Sequence, residues 1–473
     1  MSGGLGQVLA GLASWIVMAI ILISLAQNLL QAVQLALAAL ALAERPLESR
    51  SAAVWRRYAE VAPPISILAP AFNEAATVVQ SARALLSLNY PDYEVILIND
   101  GSGDATLAEL CQAFDLVPAE RAVGRRLRTE PIRGLYASPW QPRLWVIDKV
   151  NGGKADALNA GINLARSPIV CAIDADCVLE PDALMGAVLP FLEDTELVIA
   201  VGGTVRVGNG CRADHGQLVS TAAPGNFLAL LQSMEYVRAF MLARLGWGRT
   251  GALVIVSGAF GLFRRRALLE VGGYARRTVG EDMELVVRLH RHFRRARRPY
   301  RIVFTPEPVC WTEAPETLSV LGRQRSRWQR GALETFARHA DMLCNPRYGR
   351  FGLLGLGTVL IVDVLGPLAE GLGLIVVPGA WALGMLSTSF ALTLVALNIL
   401  FGVGLSVGAL ALEETEFRRA CSQRDLLRLL GAVCVENLGY RQLNSFWRLR
   451  GFAQFLRGSQ AWGAMTRKGF RPA

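Results

Sequence analysis

The placement of charge constrains this chain more than any other feature. Residues 1–43 carry no charged side chain, and a second apolar block runs from about Phe351 to Leu412. Leu12–Ala43 is uncharged, mainly apolar and long enough to span a bilayer core with length to spare. No basic residue precedes it and no small-x-small cleavage site follows, so it reads as an uncleaved anchor and not a signal peptide. Arg45, Arg50, Arg56 and Arg57 come next, which by the positive-inside rule places the long polar stretch in the cytoplasm. The second block is interrupted near Pro378-Gly379 and fits a hairpin of two spans, with Arg418, Arg419 and Arg424 returning the chain to the same side. A soluble domain between membrane segments accounts for a mean hydropathy of +0.33 with 52% hydrophobic residues over 473. Such values are too apolar for an ordinary soluble enzyme and too charged for membrane helices alone.

Within the first span of the hairpin, Asp363 and Glu370 are seven residues apart and so lie near one helix face. An intramembrane carboxylate costs about 2.5–3.5 kcal/mol, so each is expected to have a partner or to line a polar pathway. The segment 425–473 mixes apolar residues with Glu436, Arg441, Arg448 and Arg450, a pattern compatible with a span, a re-entrant segment or a surface helix. The organisation expected is therefore an anchor over 1–44, a cytoplasmic domain over 60–345, a membrane hairpin over 351–412 and a membrane-associated end over 425–473. Net charge is +10, with arginines concentrated in Arg264–Arg266, Arg291–Arg301 and Arg323–Arg330. Beside membrane spans, the anionic phospholipid surface is a better partner for these clusters than nucleic acid, and a solvated helix face explains them equally well. The eight cysteines show no paired metal-site spacing and are expected as free thiols.

After Pro63-Pro64, strands are expected at Ile65–Pro70, Tyr93–Asn99, Arg143–Ile147 and Ile169–Ile173. Helices are expected over Ala75–Leu86, Ala105 to about Phe114 and from Lys154 to about Ala165, while 118–142 reads as irregular. This rhythm defines an α/β domain with a mostly parallel sheet, whose ligands sit beyond the carboxyl ends of the strands. Asn73, Glu74, Asp100, Asp174 and Asp176 all fall at such ends.

Asp174-Ala175-Asp176 closes the most apolar of these strands. The i, i+2 spacing puts both carboxylates on one face of an extended chain, where a hard divalent cation, Mg²⁺ or Mn²⁺, relieves their repulsion. An Asp-rich turn is the alternative, because Asp-x-Asp arises by chance about once in a chain of this size. Asp100, followed by Gly101-Ser102, suits a nucleotide base or ribose, or simply forms a turn. Gly152-Gly153-Lys154 before a helix offers backbone N–H groups and a cation to a diphosphate, without the Walker spacing.

Downstream, 226–245 has the periodicity of an amphipathic helix, and Ser257-Gly258-Ala259 leaves room for a ligand. Glu281-Asp282 opens a helix, where a carboxylate usually acts as a cap. The long helix 316–342 sets Gln324, Arg327 and Trp328 on one face at i, i+3, i+4, which fits a diphosphate and a sugar ring or, alternatively, an interfacial anchor.

Taken in order, Asp100, Asp174-Ala175-Asp176, Glu281-Asp282 and Gln324-Arg325-Ser326-Arg327-Trp328 form a set that resembles the membrane-bound family 2 glycosyltransferases. These include bacterial cellulose synthase, the chitin and hyaluronan synthases and poly-N-acetylglucosamine synthase. The resemblance covers about Pro64–Arg330 and extends to Gly152–Asn159 and Thr312–Thr317.

It implies a GT-A-type nucleotide-sugar fold and an inverting transfer from a UDP-sugar, UDP-glucose or UDP-N-acetylglucosamine, onto a β-linked polysaccharide at the cell inner membrane. Asp282 would be the general base. Asn73, Glu74, Asp100, Lys154, Asp174, Gln324, Arg327 and Trp328 would bind the donor, Glu281 and Trp328 the acceptor, and Asp176 with Asp174 the metal. Single transfer to a lipid acceptor is the near alternative, and an inactive transport or assembly scaffold is the distant one. Export or accessory subunits are further partners that the resemblance allows. One N-terminal span stands where several of these synthases have two.

Overall fold

The computed structural model describes residues 2–44, 55, 57–214, 217–417, 422–459 and 471–472. Arg45, Arg50, Arg56, Arg418 and Arg419, Cys421 and residues 460–470 lie outside them.

The chain begins with α1 (Ser2–Ala43). The domain that follows is built on β1 (Ile65–Ala71), α2 (Val78–Leu86), β2 (Tyr93–Asp100), α3 (Thr106–Phe114), β3 (Val117–Pro118), β4 (Ile132–Ala137), β5 (Leu144–Lys149), α4 (Lys154–Leu164) and β6 (Ile169–Ile173). β1, β2, β5 and β6 pair in parallel, as their uninterrupted apolar runs require of strands covered on both faces. The stretch 118–142, expected as irregular, contributes β4, which runs antiparallel beside β5. Its alternation is weak because every residue of β4 stays partly exposed at the sheet margin.

Next come β7 (Val178–Leu179), α5 (Ala183–Glu193), β8 (Val198–Val207), β9 (Arg212–Asp214) and β10 (Gln217–Ser220). They are followed by α6 (Phe227–Val237), a wide π-type turn over Arg238–Arg244 and α7 (Leu245–Thr250). The single amphipathic helix expected over 226–245 is thus divided. Then follow β11 (Phe260–Arg264), α8 (Arg265–Glu270), α9 (Glu281–Arg295), β12 (Arg301–Thr312) and α10 (Leu318–His339). The ten-stranded sheet has the order β3-β4-β5-β2-β1-β6-β11-β8-β12-β7. β11 lies antiparallel between β6 and β8, so the sheet is mixed. Strand order reverses at β1, with β2 on one side and β6 on the other, and a crevice opens beyond their carboxyl ends.

Among the described residues, three helices are long and apolar enough to cross a membrane: Ser14–Ala43 within α1, Phe351–Ala382 (α11) and Thr388–Phe417 (α12). The hairpin turn falls after Ala382, with Gly384 at φ +71°, and not at Pro378, which sits inside the helix. Proline here costs the helix a donor, yet the helix continues for another turn. Beyond α12 the chain forms α13 (Gln423–Val435) and α14 (Arg441–Leu456), separated by non-helical Leu438 and Gly439.

α14 lies against α11 with two ion pairs in antiparallel register, Asp363–Arg448 and Glu370–Arg441, each at 2.9 Å. The partners expected for the two membrane carboxylates are therefore supplied by the polar tail, on residues likewise seven apart. Most arginines of the basic clusters are also engaged within the protein. Arg266 and Arg298 pair with Glu270, Arg291 with Asp341, Arg325 with Glu235, and Arg265 bonds the Ile162 carbonyl.

Candidate active site

Two lysine–carboxylate clusters occupy the crevice at the carboxyl ends of the strands. In the first, Lys149 at the end of β5 is fully buried and places its Nζ 2.6 Å from Asp100 Oδ1 and 2.7 Å from Asp156 Oδ1. Asp100 Oδ1 also accepts from Gly152 N–H at 3.0 Å, and Oδ2 accepts from Gly153 N–H at 2.7 Å and Asn151 Nδ2 at 3.3 Å. Four protein donors surround this carboxylate, Asn151 Nδ2 making its shorter bond, 2.7 Å, to the Asp100 carbonyl. The Asp100 carboxylate and the N–H groups of Gly152 and Gly153 are thus turned to one another, and a base, ribose or diphosphate approaching them competes with these bonds.

In the second cluster, Lys154 opens α4 and reaches across the crevice. Its Nζ lies 2.5 Å from Asp174 Oδ1, 3.6 Å from Glu281 Oε1 and 3.3 Å from the Gly258 carbonyl. Burial would lower its pKa, but the carboxylates of Asp174, Glu281 and Asp282 outweigh it and hold the ammonium charged. Burial raises the Glu281 carboxyl, Lys154 opposes it, and the neighbouring Asp282 adds to the rise.

Asp282 Oδ2 accepts from Gly258 N–H at 3.1 Å, and its Oδ1 accepts from Met283 N–H at 2.8 Å. A Cβ on Gly258 would lie 3.0 Å from Lys154 Nζ and 3.3 Å from Asp282 Oδ2. The space read from Ser257-Gly258-Ala259 is thus used by this lysine and this aspartate. The helix cap is Gly280, so Asp282 is not spent on capping.

Asp174, Asp176 and Cys177 have potential ligand atoms within 4.8 Å of one another. Hydrogen bonding to Cys310 and burial push the Cys177 thiol well up, which keeps it protonated. Two partly exposed carboxylates remain, a donor set that fits Mg²⁺ or Mn²⁺ shared with phosphate oxygens.

Gln324, Arg327, Trp328 and Gly331 occupy one face of α10 at i, i+3, i+4, i+7. Gly331 meets Gly280, where a Cβ on either would come within 2.8 Å of the other's Cα. That contact places this face against the start of α9, one residue before Glu281-Asp282. Trp328 is 44% exposed with Arg325 stacked on its ring at 4.4 Å, and Gln324 Oε1 is buried without a hydrogen-bond partner. Asn73, at φ +56°, accepts from Gly103 N–H at 2.9 Å and donates its N–H to Ser102 Oγ at 3.0 Å. Glu74 donates its N–H to Thr106 Oγ1 at 2.9 Å, so both residues tie the β1 loop to the β2 loop at the crevice rim.

Two residues absent from the sequence reading belong here. Arg244, in the π-type turn, has a buried Nε without a hydrogen-bond partner and packs its guanidinium on Phe240 at 3.9 Å. Burial lowers its pKa to about 10, offset in part by the facing charge of Asp282. Glu235 on α6 collects Arg325, Tyr440 Oη at 2.7 Å and Asn444 Nδ2 at 3.0 Å. A π-type turn marks functional segments often enough to have drawn attention to Arg244, but it has no sequence signature.

With this geometry in place, residues 132–331 match the family model described as "Glycosyltransferase like family 2", and the chain carries a family 2 glycosyltransferase domain. A poly-beta-1,6-N-acetyl-D-glucosamine synthase of Staphylococcus epidermidis is 31% identical over 274 residues, 58% of this chain and 56% of that protein. One from Staphylococcus aureus (strain COL) is 30% identical over 302 residues, 64% of this chain and 62% of that protein. The chain thus spans 56% to 62% of the length of these curated relatives. Among solved structures, the mannosyltransferase PcManGT from Pyrobaculum calidifontis, in complex with GDP-Man and Mn²⁺, aligns with a TM-score of 0.50 at 19% identity, over 87% of this chain and 99% of that one. The fold is GT-A-like: a mixed, mostly parallel sheet flanked by helices, with apolar helices at both ends of the chain.

Proposed function

We propose that this protein is an inverting membrane glycosyltransferase that moves a sugar from a UDP-sugar onto a growing β-linked polysaccharide, with the catalytic domain on the cytoplasmic side of the inner membrane. The observation that carries the reading is the second lysine cluster, where Lys154 joins the strand-end Asp174 to the helix-start Glu281 around the loop that fixes Asp282. The relatives named as poly-N-acetylglucosamine synthases make UDP-N-acetylglucosamine the first donor to try, ahead of UDP-glucose.

Asp282 takes the proton of the acceptor hydroxyl as that oxygen bonds to the anomeric carbon and the bond to the diphosphate breaks. Its two backbone donors hold the carboxylate in one orientation while leaving lone pairs for the hydroxyl. Lys154 and Arg327 balance negative charge on the departing diphosphate. Gln324, with its unused carbonyl oxygen, accepts from a sugar hydroxyl, and Trp328 offers its ring face to a sugar. Glu281 borders the acceptor.

Asp174 and Asp176 would hold a divalent cation, whose chemistry is to neutralise the diphosphate as a Lewis acid. Asn73, Glu74 and Asp100 act on the donor indirectly, by holding the loops at the nucleotide end. Arg244 faces Asp282 with donor capacity to spare for an anionic substrate oxygen.

Asp282→Asn tests the assignment. The expected result is a loss of transfer of roughly 10²–10⁴-fold with nucleotide affinity nearly kept. Turnover close to wild type would remove Asp282 from the mechanism.

A further inference from the structure

The two ends of the crevice differ in what holds them. α9 packs Leu285, Val286, Leu289 and Phe293 into the core of the sheet, whereas α10 leans on α14 and, through it, on the membrane hairpin. Resting on the function proposed above, we infer that Arg448 is a positioning residue for sugar transfer, locking α10, by the side turned away from its substrate-facing residues, to the first helix of the hairpin.

Arg448 uses its fork in two directions. Nε donates to Gln329 Oε1 on α10 at 2.8 Å, and Nη2 donates to Asp363 Oδ1 at 2.9 Å and to the Val362 carbonyl at 2.7 Å, both on α11. Gln329 Nε2 closes the ring by donating to the Asp363 carbonyl at 2.5 Å.

The sequence makes one of these carbonyls available. Pro367 has no N–H to return to Asp363 four residues earlier. Side chains from α10 and α14 bond the Asp363 and Val362 carbonyls in this π-type turn, so the irregular turn of the membrane helix is where the catalytic domain attaches.

The attachment bears on the site because Gln329 sits on the far side of the same helical turns that carry Arg327, Trp328 and Gly331, so holding it fixes where their face points. The same crossing is fixed by Ser326 Oγ donating to the Trp447 carbonyl at 2.9 Å, and by Gly451, where a Cβ would come within 2.6 Å of the Ser326 carbonyl. Arginine suits the node because its planar fork presents Nε and Nη2 to acceptors on two helices at a fixed spacing, which the single point charge of a lysine ammonium does not reproduce. The neighbouring pair Glu370–Arg441 joins α11 to α14 without a bond to α10, which makes it an internal control.

The test is a double-mutant cycle of Gln329→Leu and Arg448→Lys in the full-length protein, with Arg441→Gln alongside. Sugar transfer, donor KM and the unfolding midpoint in detergent are read for each. Each cycle variant is expected to lower kcat by roughly 10–100-fold with donor KM rising by much less, because Arg327 on the displaced face acts on the charge that develops as the diphosphate departs. The double variant is expected to lose no more than the worse single one, and Arg441→Gln to lower the midpoint without this loss in kcat.

Additive losses, a donor KM rising in step, or the same kcat loss in Arg441→Gln would overturn the inference. If Arg448→Lys fails to fold, Gln329→Leu decides alone, since it leaves Arg448 paired with Asp363, and normal kcat in that variant overturns the inference. A wild-type protein that transfers no sugar overturns the functional reading instead, so the two failures are distinguishable.

Discussion

The Lys149 and Lys154 clusters combine the same chemical groups at the same edge of one sheet, and they do opposite things. Around Lys149 every partner is enclosed: the side chains of Lys149, Asp100 and Asp156 are 0%, 4% and 0% exposed. Around Lys154 the site is half open, with Lys154 at 17% and Asp174 at 29%. A closed cluster whose groups are engaged with one another holds the loop beside it. An open cluster whose carboxylates outnumber its cation keeps capacity for a metal and a diphosphate. Burial and satisfaction of the partners, and not residue type, separate scaffold from site.

Three substitutions sharpen that contrast. Lys149→Met leaves the buried Asp100 without its cation and Asp156 with the Arg276 cation alone, at 3.0 Å, and is expected to destabilise the fold by about 3–5 kcal/mol, seen in chemical or thermal unfolding. A variant as stable as wild type would mean that the cluster is not closed in solution. Lys154→Gln is expected to keep the unfolding midpoint within a few degrees while transfer falls by roughly 10²–10³-fold, equivalent to about 2.7–4 kcal/mol. If stability falls there as it does at Lys149, the two clusters do not divide the work.

His290 gives the smallest effect and a baseline outside both clusters. Its Nδ1 meets Tyr300 Oη at 2.6 Å, its Nε2 meets the Leu253 carbonyl at 2.9 Å, and it stacks on Phe351 at 3.8 Å. Burial lowers its pKa to about 3. The neutral ring therefore contributes stability in full above the unfolded value near 6.5, and the contribution is lost as pH falls towards 3, by at most about 1.4 kcal/mol per unit. Unfolding compared at pH 7 and pH 5 should show this slope in wild type and a shallower one in His290→Gln.

Much of the catalytic edge was legible because strand ends and helix starts leave local marks. Asp174 and Asp176 after an apolar run, and Asp282 at a helix start, stand where the pattern of residues puts them. The hydrogen-bond partners of Asp100 were not legible, since they come from a turn about fifty residues later. β8 and β12 escaped notice because Gly202-Gly203 interrupts the first and Pro306 and Pro308 the second, residues that weaken a strand reading in isolation, and Arg244 because a π-type turn follows no periodic rule. Asp363 and Glu370 announced that they needed partners. Only packing could name Arg448 and Arg441, because a seven-residue spacing on α14 means nothing until the helices meet antiparallel.

The most direct measurement is UDP release by the purified full-length protein over a panel of UDP-sugars, with and without Mn²⁺ or Mg²⁺, with the product sized and tested for organic extraction. Metal-dependent release from UDP-N-acetylglucosamine or UDP-glucose, accompanied by a high-molecular-weight, glycosidase-sensitive product, is the expected result. A short extractable product would move the acceptor to a lipid, with the roles of Lys154 and Asp282 unchanged. No release from any donor, metal present or absent, would contradict the assignment of the open cluster as a sugar-transfer site.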